Sequence, residues 1–117
     1  MPNVYYLPTS GVPSLEPVTI DVDKQVNQLR KLIGGGYLEE VKLMPAFIEG
    51  ILISPGKTYS FFVDEEGEVK GLPENRYFPT FLGDVLLVAT NAAGEVVDIS
   101  EDHCKQIIAN GKQIWGR

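Results

Sequence analysis

The sequence is poor in the residues that most often carry chemistry. Of 117 residues, one is cysteine, one histidine and one tryptophan. The lone Cys104 cannot close an internal disulfide, which points to a reducing compartment, the cytoplasm. One Cys and one His cannot complete a tetrahedral zinc set unless a second subunit contributes. His103 and Cys104 are also sequence neighbours in a stretch read as helix, where facing positions are three or four apart. A Cys–His dyad, which needs hydrogen-bond reach and an orienting partner, is therefore not expected. Cys104 reads as core and His103 as solvated near a helix start, with no cofactor implied.

Basic residues are scarce as well. There are 10 Lys and Arg against 16 Asp and Glu, for a net charge of −6. Nucleic-acid affinity comes largely from Lys and Arg displacing counterions, so no nucleic-acid partner is expected. The acidic residues are interleaved with Lys and apolar residues, which also argues against mimicry of a DNA backbone. No apolar run reaches the length of a membrane span. Residues 1–6 carry neither a basic stretch nor an apolar one, so no signal peptide is expected.

What is present is an ordinary globular composition. A hydrophobic content of 44% and a mean hydropathy of −0.02 suit one domain, residues 1–117, with a modest core. Residues 3–7 are β-prone and predict a first strand. Residues 8–17, with three prolines, read as a surface loop. Residues 18–22 predict a second strand. Asp23 is then a good N-cap for a helix to Ile33, with Val26, Leu29, Leu32 and Ile33 as its buried stripe. Gly34, Gly35 and Gly36 end it. They follow the helix, so they lack the helix N-terminus that would make them a phosphate loop.

Residues 37–43 predict another strand, with Tyr37, Glu39 and Val41 on one face and Leu38, Glu40 and Lys42 on the other; which face is buried is left open. Residues 45–56 fit either a buried strand or a short helix and loop. Residues 59–64 and 67–70 predict a hairpin turned at Gly67. The apolar run 85–89 predicts a central strand, and residues 91–94 turn it into a short return over 95–99. Ser100 caps a second helix over about 100–110, with Cys104, Ile107 and Ile108 as its apolar stripe and Asn110-Gly111 as its stop. Trp115 reads as a lid on the core. This order predicts an α+β domain, a mostly antiparallel sheet with two helices.

Residues 64–76, Asp-Glu-Glu-Gly-Glu-Val-Lys-Gly-Leu-Pro-Glu-Asn-Arg, hold the clearest functional signal. Packing of a hairpin does not demand such a loop. Asn75 can bond through both amide groups, and Arg76 offers a planar fork for phosphate or carboxylate. Tyr77 and Phe78 could stack on a base, and Lys70 and Lys57 are candidate second phosphate contacts. Two readings stand. In one, Asn75, Arg76, Tyr77, Phe78, Lys70 and Lys57 bind a nucleotide. In the other, Asn75 ties the loop to its own backbone, and Arg76 pairs with Glu65, Glu66 or Glu74. Asp64, Glu65 and Glu66 read as solvated turn charges rather than a metal site.

Two blocks carry a resemblance to a known family. Residues 32–39 match a helix end followed by Gly-Gly-Tyr-x-Glu, with one extra glycine. Residues 63–76 match a block reading Asp-Glu-Glu-Gly-x-x-x-Gly-Leu-Pro-x-Asn-Arg. The closing strand beginning Gly83-Asp84 is also similar. Over about residues 19–89 the chain resembles a family of small uncharacterised proteins carried by phages, plasmids and their bacterial hosts. The resemblance implies a genomic setting and transfers no site residue. The setting, the Arg-aromatic loop and the absence of a catalytic set together give the expectation of a non-enzymatic accessory protein. In the leading version it sequesters a nucleotide-type immune signal in the host cytoplasm, as a homo-oligomer. In the alternative it inhibits a host enzyme or defence complex through contacts at residues 64–68 and 8–17.

Overall fold

The computed structural model describes residues 2–9, 16–34, 36–78 and 80–115. Six strands and two helices form an α+β domain around one antiparallel sheet. The strands are β1 (Asn3–Leu7), β2 (Glu16–Thr19), β3 (Leu38–Lys42), β4 (Thr58–Asp64), β5 (Val85–Thr90) and β6 (Val96–Val97). Their order is β2-β1-β5-β4-β3, and β6 pairs with the far end of β5. The most apolar run of the sequence is thus the central strand, with β1 and β6 along one side and β4 along the other.

Alternation along the strands divides the core in two. Tyr59, Phe61 and Val63 of β4 and Val85, Leu87 and Ala89 of β5 share one face with Tyr5 and Leu7. Helix α2 (Glu101–Trp115) covers it with Cys104, Ile107 and Ile108, helped by Phe47 from a 3-10 helix (Pro45–Ile48). Leu86 and Val88 point to the opposite face with Val4 and Ile20, under α1 (Gln25–Ile33). That helix has nine residues, about 13 Å of length. Five strands side by side span roughly 19 Å, so α1 leaves part of its face open.

Several expectations are corrected. The second strand is Glu16–Thr19, earlier than residues 18–22. The first helix begins at Gln25 after a 3-10 turn (Val22–Lys24), and Asp23 does not cap it. Asp21 supplies the local bond instead, its Oδ1 accepting from the Asp23 N–H at 3.1 Å. Val26 is 59% exposed, because the first turn of α1 stands over the 91–95 turn rather than the sheet. Gly34 ends the helix as expected, with φ 109° and its N–H bonded to Lys31 O. Gly35, most of the 8–17 loop and the Trp115 side chain lie outside the described residues. Residues 45–56 adopt the short-helix-and-loop alternative.

The predicted 59–64/67–70 hairpin does not form. β4 is paired along one edge by β3 and along the other by β5, so no edge remains for a return strand. Residues 65–71 wind through successive turns instead, and Val69 is 84% exposed. Gly67 has no positive φ. Its role is close approach, since a Cβ there would sit 2.8 Å from Leu82 O.

α2 is capped by Ser100 as expected, with the His103 N–H donating to Ser100 Oγ at 3.1 Å. It runs through Asn110-Gly111 rather than stopping there. Asn110 Nδ2 donates to Phe47 O and Glu49 O, and a Cβ on Gly111 would meet the Phe78 ring at 3.0 Å. Both residues fit the helix against its neighbours, which is why they are not a stop.

Candidate functional site

The segment 64–83 leaves β4 and returns to β5 as a closed lobe at one end of the sheet. Asp64 starts it. The residue is 6% exposed, its carboxylate accepting from the Glu66 N–H at 2.8 Å and from Lys70 Nζ at 2.8 Å. Burial pushes this carboxyl up, but the Lys70 bond, the Glu66 N–H and the Lys70 charge outweigh it and hold the carboxyl below its usual range. Asp64 is thus not a solvated turn charge. Gly36 completes the cluster, because a Cβ there would fall 2.8 Å from Lys70 Nζ and 3.1 Å from Asp64 Oδ1. The Glu65 N–H donates to Tyr37 O, so the two blocks of the family resemblance meet here.

Asn75 closes the lobe. It is 1% exposed. Its Nδ2 donates to Leu7 O at 2.8 Å and Gly83 O at 3.0 Å, and its Oδ1 accepts from the Tyr77 and Phe78 N–H groups at 3.0 and 3.2 Å. Two donors and two acceptor sites are the full capacity of an amide, so Asn75 has none left for a ligand. It clamps the loop to the ends of β1 and β5, which is the structural reading. Phe78 is fully buried against Phe61, centroids 4.6 Å apart, and cannot stack on a base. Tyr77 is half-buried, and its hydroxyl is buried without a hydrogen-bond partner among the described residues. Arg76 is exposed. Lys70 is engaged by Asp64. Lys57 precedes β4, whereas Lys70 bonds to its last residue, a separation of about 20 Å along a strand. The structure therefore does not gather the six residues into one pocket.

The lone cysteine and the lone histidine are both tied up. Cys104 is fully buried, and burial pushes its thiol up to about 12, far from a nucleophilic thiolate. His103 is half-buried rather than solvated, with Nδ1 bonded to the Tyr59 hydroxyl at 2.5 Å. Among the described residues, no three His, Cys, Asp or Glu side chains are placed to hold a metal ion. No described helix is long and apolar enough to cross a membrane.

The open half of the sheet holds a cleft of about 430 Å³, within the range of small-molecule sites. Phe62 and Leu29 are among its apolar lining, and Glu40, Lys42, Thr58 and Thr90 among its polar lining. The 91–94 turn closes one end. Gln25 holds it there by donating from Nε2 to Gly94 O and accepting from the Val96 N–H, both at 3.0 Å. These lining residues were not among the sequence candidates. The signal was the alternation Thr58, Ser60, Phe62, which puts polar side chains beside an aromatic on one face. It could be read only once Glu40 and Lys42 were placed on that face too, by the register Glu40↔Phe62 and Lys42↔Ser60.

No curated protein and no solved structure matches the chain. A comparison with protein families matches residues 10–111 to DUF3846, a domain of unknown function. With that match covering most of its length, the chain belongs to the DUF3846 family.

Proposed function

We propose that the protein is a small binding protein, not an enzyme, that a phage or other mobile element uses in the host cytoplasm to sequester a nucleotide-type signal molecule. The observation that carries this reading is the ligand-sized cleft on the half-covered sheet face. It lies apart from the buried Cys104 and from His103, which is held by Tyr59. A cleft with an aromatic side, a cation and hydroxyls, and with neither Cys104 nor His103 among its described lining residues, suits holding a molecule rather than converting it. The resemblance of residues 32–39 and 63–76 to a phage- and plasmid-borne family supports the mobile-element setting. Self-association belongs to the same proposal.

A thermal-shift screen against cyclic and linear nucleotides, dinucleotides and ADP-ribose tests it. A ligand at a hundredfold over its Kd adds roughly 2.7 kcal/mol, several degrees for a domain of this size. A shift with one class, without turnover of that compound, is the expected result. A folded protein that nothing in the panel stabilises would end the small-molecule reading.

The second reading, inhibition of a host protein, is favoured by one other feature. Val69 stands exposed among Glu65, Glu66 and Glu68, and Leu52 is 92% exposed elsewhere on the surface. An exposed apolar side chain with charged neighbours along the chain is a common element of contact patches. Capture from host lysate that is lost in Val69→Glu would favour this role.

A further inference from the structure

We infer that the end of the cleft formed by Lys42, Thr58 and Thr90 is an anion site, and that the cleft's ligand is a nucleotide-type molecule with a phosphate-like group, a flat ring and hydroxyl or amine donors. This assignment rests on the small-molecule reading above and names its site and ligand class.

Three adjacent strands build the anion end. Thr58 of β4 is the direct register partner of Thr90 of β5. Such a pair places two side chains about 5 Å apart on one face. Lys42 of β3 is opposite Ser60, one diagonal step from Thr58 and within reach of its flexible stem. It is the only cation among the described lining residues. Among the described residues, none of these three side chains has a hydrogen-bond or ion-pair partner. Thr–Thr pairs across strands often bond each other, so two unspent hydroxyls beside an unpaired ammonium are a set waiting for an acceptor-rich group.

The other end is different. Glu40 is the only acidic lining residue, two positions from Lys42 on the same face, roughly 7 Å away along the strand. Its Oε2 accepts from Ser60 Oγ at 2.7 Å, which orients the carboxylate and leaves further lone pairs for a donor. Phe62 lies directly opposite Glu40 in register and supplies the aromatic surface. From Thr58 to Phe62 is four residues, about 13 Å. Inorganic phosphate alone cannot bridge that span, and a nucleoside alone leaves the cation unused. A phosphate at Lys42, a base against Phe62 and sugar or amine donors at Glu40 use every unspent group.

The test is a titration of the isotope-labelled full chain, followed by backbone amide shifts. The probes are the common ribonucleoside 5′-monophosphates, the matching nucleosides and inorganic phosphate. A monophosphate should move the amides of residues 42, 58 and 90 saturably, with the nucleoside and phosphate at least about tenfold weaker. Lys42→Gln should weaken that binding by about tenfold while the rest of the spectrum stays unchanged, since Lys42 is exposed on an edge strand. Thr58→Val serves as a second variant, with a smaller loss of the same kind. Shifts that map to residues 75–78 instead, equal affinity in Lys42→Gln, or no monophosphate binding at millimolar concentration would each overturn the assignment. If another small molecule still stabilises the protein in the thermal screen, only this assignment falls. If none does, the small-molecule reading falls with it.

Discussion

The two faces of the sheet are built to different standards. On the α2 side, β4 and β5 present Tyr59, Phe61, Val63, Val85, Leu87 and Ala89, all buried under a helix and a 3-10 turn. Phe47, Phe61 and Phe78 form an aromatic cluster there, with centroids 4.6 to 6.2 Å apart, Phe47 edge-to-face on both partners and Phe61 tilted against Phe78. On the α1 side, the same strands present Thr58, Ser60, Phe62, Leu86, Val88 and Thr90; Leu86 and Val88 are sealed with Leu29 and Ile33 and Ser60 is buried too, while Thr58, Phe62 and Thr90 are only half-buried. The contrast teaches how unevenly burial is divided in so small a domain. The aromatic face supplies the hydrophobic burial, and the other can leave half its width polar and open.

The largest expected effect measures that division directly. Phe61→Ala removes a fully buried ring from the centre of the aromatic cluster and should cost about 3–5 kcal/mol in denaturant unfolding. Phe62→Ala, one residue on and facing the cleft, should cost no more than about half as much, since the ring is only half-buried. Equal losses at the two positions would mean that the open face is as tightly packed as the covered one.

Next comes the clamp that fastens the lobe to both β1 and β5. Asn75→Ala strips partners from two carbonyls and two N–H groups in a buried site. With each of the four orphaned groups worth about 1 kcal/mol or more, the loss should be about 4 kcal/mol or more. Asn75→Asp should be worse than isosteric, because a carboxylate would face the carbonyls of Leu7 and Gly83. A mild effect from both changes, read by urea midpoint, would return Asn75 to the list of ligand contacts.

How far this architecture was legible in the sequence depends on the range of the interaction concerned. The α+β class, β1, α1's glycine stop, the central strand at β5 and the Ser100 cap rest on local patterns, and each appears close to where the pattern puts it. The misses come from partners distant in sequence. Residues 67–70 alternate well enough for a strand, but β3 and β5 already occupy both edges of β4. Asn110-Gly111 has the composition of a helix stop, yet it answers to Phe47 and Phe78, far away in sequence. The Asn75 motif was legible as special, and its tie to its own loop backbone was one of the two readings, but its anchor at Leu7 O, 68 residues away, was not. The cleft was invisible until the β3–β4 register fixed which face Lys42 and Glu40 share.

Smaller again is Gly111→Ala, which pushes a methyl to 3.0 Å from the Phe78 ring. Overpacking of this kind costs about 1–3 kcal/mol, against the normal gain of alanine over glycine in a helix. Net stabilisation in thermal unfolding would show that α2 can slide away from the aromatic cluster.

The Asp64–Lys70 pair gives the contrast a pH dependence at the lobe. Because the folded carboxyl titrates below its unfolded value, its contribution is present above about pH 4 and is lost as pH falls through the lowered value. Lys70→Met should therefore destabilise near neutral pH and bring less additional loss on acidification. A variant whose acid limb still parallels the parent's would show that the pair does not set it. On the alkaline side burial holds the Cys104 thiol up to about 12. Stability from that neutral thiol is full below about pH 9 and declines as pH rises towards 12, a slope that Cys104→Ala should flatten. The same burial predicts that a thiol reagent labels Cys104 only when the protein unfolds.

The smallest expected effect is the most direct check on the lobe's path. Val69 has strong β propensity and would be half-buried in a hairpin paired to β4, where a change to Lys would cost about 1 kcal/mol. In the observed turn it is exposed, beside Glu66 and Glu68. There Val69→Lys exchanges an exposed apolar side chain for a cation among acids. Surface changes of that kind fall within about 0.5 kcal/mol of neutral. The urea midpoint should thus stay where it is, with an unchanged denaturant slope. A clear loss would place Val69 against a partner strand, either within this chain or in a second copy, and would reopen the acidic turn as an interface rather than a free loop.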